Sequence, residues 1–250
     1  AALALASLGF VACSDSTAGN GAPLSLSITT KPQTPSSQQP AAVASTLVLT
    51  KAQVVIRELE LQSSENDTCV DEDEMDDHSG HGGPGGSNEM EHEDECEEVE
   101  LGPFLVDLPL DGTTKTDFTP LVPPGTFREA EVKVGTVRSG KQRALSFLMQ
   151  HPEFKDISVR VEGTLDGKAF TFTTTVDAEF EKEFNPPITI AQGSTANITV
   201  AIDVSSWFSD GAGGTLDPAN AANAARINEN IKRSLRAFRD DDCNGEEDHS

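Results

Sequence analysis

The chain has 250 residues, of which 42 are acidic and 18 are basic, so its formal net charge is -24. Nucleic acid is not an expected partner, because no basic patch is available to contact phosphates. The hydrophobic content of 36% is still enough to fill the core of one large domain or two small ones. The acidic side chains are concentrated in residues 65–100 and 240–248, and the remainder of the chain is close to neutral.

The first residues predict export. Residues 1–12 (AALALASLGFVA) are uncharged and are typical of the h-region of a signal peptide, which is too short to cross a bilayer as a helix. No Met and no basic n-region precede them, so we expect that the start of the chain is truncated. The tetrapeptide FVAC resembles the lipobox of bacterial lipoproteins, although Phe10 stands where that family usually has Leu.

The lipobox resemblance implies that the signal peptide is cut before Cys13 and that Cys13 carries lipid. It places the protein in the bacterial cell envelope, with a membrane as a partner through the lipid anchor. Ser14 rather than Asp follows the cysteine, which in that family favours the outer membrane. An ordinary signal peptide with an incidental cysteine is the alternative.

A flexible tether is predicted for residues 13–41, which are rich in Ser, Thr, Pro, Gln, Gly and Ala. Residues 24–28 (LSLSI) alternate between apolar and polar side chains, and they predict a first strand docked on the domain.

The body of the chain, residues 42–239, predicts a mainly β fold: an antiparallel β-sandwich with one C-terminal helix and a long disordered acidic insert. Apolar and polar residues alternate there, and Thr, Val, Ile and Phe dominate. The candidate strands are 46–61, 98–108, 126–138, 157–165, 168–180 and 195–204.

Turns and bulges are predicted between and within these strands. Asp166-Gly167 between two alternating runs indicates a hairpin, and Asn185-Pro186-Pro187 is expected to separate two strands. The alternation changes parity near Lys51-Ala52 and near Arg57-Glu58, which predicts a bulge at each place.

The C-terminal helix is expected near residues 217–239. Asp217 is suited to cap it and Pro218 to occupy its first position. Apolar residues then recur at three- and four-residue steps, as on one face of a helix. These residues are Ala224, Ile227, Ile231, Leu235 and Phe238.

Several short motifs resemble a loose group of uncharacterised bacterial lipoproteins. They are VVIRELEL, GPFLVDL, VPPGTF before an alternating strand, WF, LDP and an acidic tail after F-x-D, and together they extend over residues 45–250. The resemblance implies envelope anchoring and a prealbumin-like or immunoglobulin-like sandwich. It implies no activity.

The acidic insert at residues 65–98 contains the first candidate metal site. Cys69 and Cys96 lie near its ends, and a disulfide between them would close its base. Imidazole groups suit Zn²⁺, Cu²⁺ or Ni²⁺. The candidate ligands are His78, His81 and His92. The alternative is a solvated acidic loop that binds nothing.

The tail at residues 240–250 contains the second candidate site. It reads D-x-D-x-N-G-x-x-D, which matches positions 1, 3, 5, 6 and 9 of an EF-hand calcium loop, with Gly245 at the sharp turn. Position 7 would be the backbone carbonyl of Glu246, and the bidentate Glu of position 12 has no counterpart. We expect weak Ca²⁺ binding, with chance spacing in an acidic tail as the alternative. The candidate ligands are Asp240, Asp242, Asn244, Glu246 and Asp248.

No enzyme is predicted, because the chain contains no G-x-S-x-G, H-E-x-x-H or phosphate-loop motif. The sequence favours an envelope lipoprotein whose sandwich module binds divalent cations. The alternative is a surface adhesion or scaffold module with an inert acidic loop, for which the sequence indicates no particular protein or glycan.

Overall fold

The protein was analysed as a computed structural model, which describes residues 21–30, 46–64, 98–138, 140–193 and 196–248. Stacked β-sheets dominate these residues and confirm the predicted sandwich. The strands are β1 (Ala22–Pro23), β2 (Ser25–Thr30), β3 (Leu47–Ser63), β4 (Glu98–Leu101), β5 (Phe104–Asp107), β6 (Thr114–Phe118), β7 (Leu121–Val122), β8 (Gly125–Val134), β9 (Val159–Leu165), β10 (Lys168–Thr174), β11 (Ala178–Ile190), β12 (Asn197–Ile202) and β13 (Leu235–Arg239). The α-helices are α1 (Gln142–Gln150) and α2 (Ala224–Arg233).

A seven-stranded sheet and a four-stranded sheet form the two layers. The larger sheet follows the pairing path β10-β9-β3-β8-β11, and β4 and β5 also pair with β3. The smaller sheet has the order β13-β12-β2-β6. The expectation of an antiparallel sandwich needs one correction, because β2 pairs with β12 in parallel. These two strands can be parallel because most of the domain lies between them and provides the long connection that parallel pairing needs.

Strand β3 crosses the larger sheet and contains both predicted bulges. Its pairing register shifts between Leu49 and Lys51, and again between Ile56 and Glu58. An extra residue at each place changes which positions face the core. The β3 side chains that enter the main core therefore fall at odd, then even, then odd positions. They are Leu49, Ala52, Val54, Ile56, Leu59 and Leu61.

The main core lies between the two sheets. Strand β2, from the predicted tether, contributes Leu26 and Ile28, which are fully buried, so the predicted first strand is confirmed. Trp207 and Phe208 are also buried in this core. Each such side chain contributes about 1.5–3 kcal/mol by leaving water.

A smaller apolar cluster lies on the opposite face of the larger sheet, under α1. Val55, which points away from the main core, contacts Ala144 and Phe147 of α1 in this cluster. Helix α1 was not predicted from the sequence. It covers one end of the outer face of the sheet and leaves the rest of that face to polar side chains.

The predicted C-terminal helix is shorter than expected. Helix α2 ends at Arg233, and residues 235–239 form β13, which pairs with β12. Hydrogen bonding to a neighbouring strand therefore overrides the helical spacing of the sequence. Asp217 does not cap the helix, because its Oδ1 accepts the N–H of Ala219 at 2.8 Å in a separate turn.

The interpretation of Asn185-Pro186-Pro187 as a separator of strands was wrong. These residues lie inside β11, whose register against β8 shifts between Glu183 and Ile188. Strand β11 lies at the end of its sheet, where prolines can be accommodated at a bulge without breaking a two-sided ladder.

Candidate cation-binding sites

The C-terminal loop is built on Asp240, which directly follows β13 and is fully buried. Its Oδ1 accepts the N–H of Asn244 at 2.9 Å, and its Oδ2 accepts the N–H of Gly245 at 2.9 Å. The hydroxyl of Thr199 on β12 also donates to Oδ2, at 2.7 Å. The Asn197 side-chain amide donates to the backbone carbonyl of Asp240 at 2.7 Å. Two strands of the smaller sheet thus fix the loop through one carboxylate.

The other predicted ligands continue this turn. Asp242 Oδ1 accepts the N–H of Asn244 at 3.2 Å, and Asn244 Oδ1 accepts the N–H of Glu246 at 2.7 Å. Asp248 lies at the base of the loop, where its Oδ2 accepts the N–H of Asp241 at 2.7 Å. The loop therefore brings Asp240, Asp242 and Asn244 together, whereas Asp248 closes the loop and the Glu246 side chain is exposed.

Gly245 allows the loop to turn where it meets the smaller sheet. Its φ of +83° is in the left-handed region that favours glycine. A Cβ at this position would collide with the hydroxyl of Thr114 and lie 3.1 Å from the hydroxyl of Thr29. The position therefore requires glycine for both its backbone conformation and the available space.

The charge of the loop is incompletely balanced. Burial raises the pKa of Asp240 and the neighbouring Asp242 carboxyl adds to this, while the hydrogen bond from Thr199 and those from the loop backbone lower it. Arg239 is paired with Asp241, with 2.5 Å between Nη2 and Oδ2. Within the described part of the chain, no basic side chain forms an ion pair with Asp240 or Asp242.

Cys243, inside this loop, is disulfide-bonded and is not a free thiol. Its partner lies outside the described residues. If that partner is Cys69 or Cys96, the predicted bond between those two cannot also form. The lipidation site Cys13, the cysteines Cys69 and Cys96, and the histidines His78, His81 and His92 all lie outside the described residues.

Sequence reasoning missed a row of acids on the outer face of the larger sheet. Glu100 of β4 pairs with Glu60 of β3, Glu60 with Glu131 of β8, and Glu131 with Glu181 of β11. We call these four residues the glutamate ladder. Like charges placed directly opposite each other on neighbouring strands destabilise a sheet, so the negative charge of the ladder must be offset by nearby positive charge.

Lys133 provides part of that compensation. Its Nζ lies 2.6 Å from both carboxylate oxygens of Glu60 and 3.2 Å from Oε2 of Glu131. At the other end of the ladder, Lys141 forms an ion pair with Glu100 and lies 3.5 Å from Glu58.

The pKa values show where compensation fails. Burial, together with the neighbouring carboxyls of Glu179 and Glu60, raises the pKa of Glu131 to about 8. Burial and Glu100 raise the pKa of Glu58 to about 7. Burial also acts to raise the pKa of Glu60, but hydrogen bonds, with that of Lys133 the strongest, outweigh it and leave this pKa below its ordinary value.

The sequence does contain a signal for this row. Glutamates alternate in the candidate strands, in RELEL, EVEL, REAEV and AEFEKEF. Alternation places them on one face of each strand, but only the pairing register brings them opposite one another.

The fold and these sites define a β-sandwich protein with a fixed acidic loop at its C-terminal end and an acidic outer sheet face. No protein-family model matches the chain, and neither the curated proteins nor the solved structures contain a significant match. The resemblance to bacterial lipoproteins therefore stays a prediction. Neither helix of the described residues is long and apolar enough to cross a membrane.

Proposed function

We propose that this β-sandwich is a non-enzymatic module that binds Ca²⁺ at the loop of residues 240–248. The observation that carries the proposal is the conformation of Asp240. Three hydrogen bonds hold its buried carboxylate beside Asp242, and neither acid is paired with a basic side chain of the described residues. A bound cation would supply the missing positive charge.

Ca²⁺ suits this loop better than a softer metal. The side chains offered by Asp240, Asp242 and Asn244 are oxygen donors, and Ca²⁺ accepts six to eight oxygens in flexible geometry. Their alternate spacing with glycine at the sixth position is the arrangement from which EF-hand loops build a calcium site. Because Asp248 closes the base of the loop instead of joining Asp240, Asp242 and Asn244, we expect a dissociation constant on the order of 10⁻⁴–10⁻³ M.

Calorimetric titration with Ca²⁺ tests this proposal. The wild-type titration should contain a binding step in the millimolar range, and Asp242→Asn should remove that step. Asp217→Asn is the matched control, because Asp217 is an exposed acid that also accepts a loop N–H but lies outside the proposed site. If Asp242→Asn removes no binding step from the wild-type titration, or if both variants change the titration equally, the proposal is wrong.

We also propose that lipid on Cys13 attaches this module to the bacterial cell envelope, with the outer membrane favoured. Mass spectrometry of the natural protein should find an acylated amino-terminal cysteine in a membrane fraction. An unmodified amino terminus in the cytosol would contradict this.

The insert remains a second proposed metal site, for Zn²⁺, Cu²⁺ or Ni²⁺ at His78, His81 and His92. Zn²⁺ titration of a triple His→Ala variant tests it.

A surface adhesion or scaffold role is the second candidate, and one observation favours it. Leu145 and Met149, one turn apart on α1, are 52% and 84% exposed. Exposed apolar side chains on one helix face are typical of contact surfaces. Sedimentation velocity should then show association that Leu145→Glu abolishes. A chain that is monomeric at all accessible concentrations would not support self-association through this face.

A further inference from the structure

Three glutamates converge on the outer face of the larger sheet, far in sequence from the C-terminal loop. Glu131, Glu179 and Glu181 each offer a carboxylate oxygen, and these oxygens all lie within 4.8 Å of one another. The strand pairing explains why they meet. Glu181 is directly opposite Glu131, and Glu179 lies two residues before it on the same face of β11.

A buried acceptor without a donor distinguishes this cluster from an ordinary acidic surface. Glu131 is only 9% exposed, and its Oε1 is buried without a hydrogen-bond partner in the described part of the chain. Its other oxygen, Oε2, is 3.2 Å from Lys133. Leaving a buried carboxylate oxygen unpaired costs about 1–3 kcal/mol or more, so Oε1 must be satisfied either by a proton, which the raised pKa of Glu131 favours, or by a cation.

Lys133 cannot neutralise the whole cluster. Its ammonium is shared between Glu60 and Glu131, and Glu60 receives the closer contacts. In the part of the chain that the structure describes, no Lys or Arg forms an ion pair with Glu179 or Glu181. Lys182, the residue after Glu181, points away from this face and pairs with Glu247 of the C-terminal loop at 2.6 Å.

We infer that Glu131, Glu179 and Glu181 form a second cation site, separate from the C-terminal loop, which takes a hard divalent cation and favours Ca²⁺. Carboxylate oxygens select hard cations. Ca²⁺ takes six to eight oxygens in flexible geometry, which suits three carboxylates supplied by two neighbouring strands. Mg²⁺ demands a near-ideal octahedron at about 2.0–2.1 Å and gives up its water reluctantly, so this group favours Ca²⁺ over Mg²⁺.

The test uses the full chain carrying Asp242→Asn, so that the C-terminal loop does not contribute. Bound Ca²⁺ is measured by equilibrium dialysis against ⁴⁵Ca²⁺ at neutral pH, with and without excess Mg²⁺. We expect one Ca²⁺ per chain, and Glu179→Gln/Glu181→Gln should weaken this binding by ~10-fold or more. Both substitutions are at exposed positions, so the fold should persist, which circular dichroism checks.

Glu183→Gln is the matched control, because Glu183 lies on the same strand and the same face but outside the three-carboxylate group. It should leave Ca²⁺ affinity within about twofold, and Mg²⁺ should compete poorly. Absence of bound Ca²⁺ in the Asp242→Asn chain would overturn the inference. So would equal effects of Glu183→Gln and the double variant, or stronger binding of Mg²⁺ than of Ca²⁺. Because the loop is disabled throughout, each result is independent of the calcium proposal for residues 240–248.

Discussion

Replacing Asp240 with Asn should destabilise the whole domain, although the two side chains have nearly the same shape. In the native loop the Asp240 carboxylate accepts hydrogen bonds from two backbone N–H groups, of Asn244 and Gly245, and from the Thr199 hydroxyl. An Asn side chain has only one acceptor oxygen, and its amide nitrogen would face one of these N–H groups donor to donor.

The Thr199 hydroxyl can rotate and accept from the new amide, so one backbone N–H loses its carboxylate acceptor. It is that of Gly245, or that of Asn244, which then keeps only the longer bond to Asp242 Oδ1 at 3.2 Å. An N–H that loses its acceptor costs about 1–3 kcal/mol, and the lost charge-assisted bonds add to it. Relief from burying a charge returns part of this cost, so we expect Asp240→Asn to lower the free energy of unfolding by about 2–3 kcal/mol. Asp240→Ala removes all three acceptor contacts and takes the acceptor from several donors at once, so it should cost about 3–5 kcal/mol.

Urea unfolding followed by tryptophan fluorescence measures this directly. Trp207 is the only tryptophan of the chain and is fully buried, and its indole N–H donates to Ser234 at 2.7 Å. Asp242→Asn, at an exposed position of the same loop, should change stability by less than about 1 kcal/mol. If Asp240→Asn had no larger effect than Asp242→Asn, the buried carboxylate would not hold the loop, and the reasoning would fail.

Three further predictions concern the ladder and two glycines. The pKa of Glu131 is raised to about 8 in the folded protein from an ordinary value of 4.5, so the folded state holds this proton more tightly than the unfolded state. The resulting contribution to the free energy of unfolding is complete below pH 4.5 and is lost as the pH rises through 8. Because neighbouring acids share the proton, we expect the free energy of unfolding of the wild type to fall by about 1–2 kcal/mol between pH 5.5 and 9, whereas Glu131→Gln should not show this fall. Parallel pH profiles of the two proteins in urea unfolding would contradict this. Gly163→Ala should cost about 1–3 kcal/mol, since its Cβ would collide with the backbone carbonyl of Val48, and an unchanged melting temperature would refute it. Gly245→Ala should cost about 1–3 kcal/mol and weaken Ca²⁺ binding, and calorimetric titration that shows unaltered affinity would separate the glycine from the proposed calcium site.

Local chemistry made much of the fold predictable. The Asp166-Gly167 hairpin is confirmed: both residues have positive φ, and β9 and β10 pair on either side of them. The two bulges of β3 could be located from parity alone, because burial on one face leaves a period of two in the sequence wherever the strand is regular. A change of parity therefore marks an inserted residue.

The secondary-structure predictions failed where contact with a neighbouring strand or sheet determined the local conformation. Residues 235–239 have apolar residues at helical spacing, yet they pair with β12 because that strand provides a row of free hydrogen-bonding groups. Only Ala144 and Phe147 of helix α1 are buried, and two apolar positions are too weak a pattern to predict a helix from the sequence. The helix is stabilised by Val55, which lies on the outer face of the larger sheet and packs in the same cluster.

The two candidate sites differ in how far they could be predicted from local sequence. The D-x-D-x-N-G spacing of the C-terminal loop was readable because its donors and acceptors are within a few residues of one another, but the sequence did not show that Asp240 is anchored by Thr199. The glutamates of the outer face were visible only as alternating acids on separate strands. Pairing register, which depends on the bulges and on the packing of both sheet faces, decided that Glu131 would lie opposite Glu181 and that its Oε1 would be buried with no hydrogen-bond partner among the described residues.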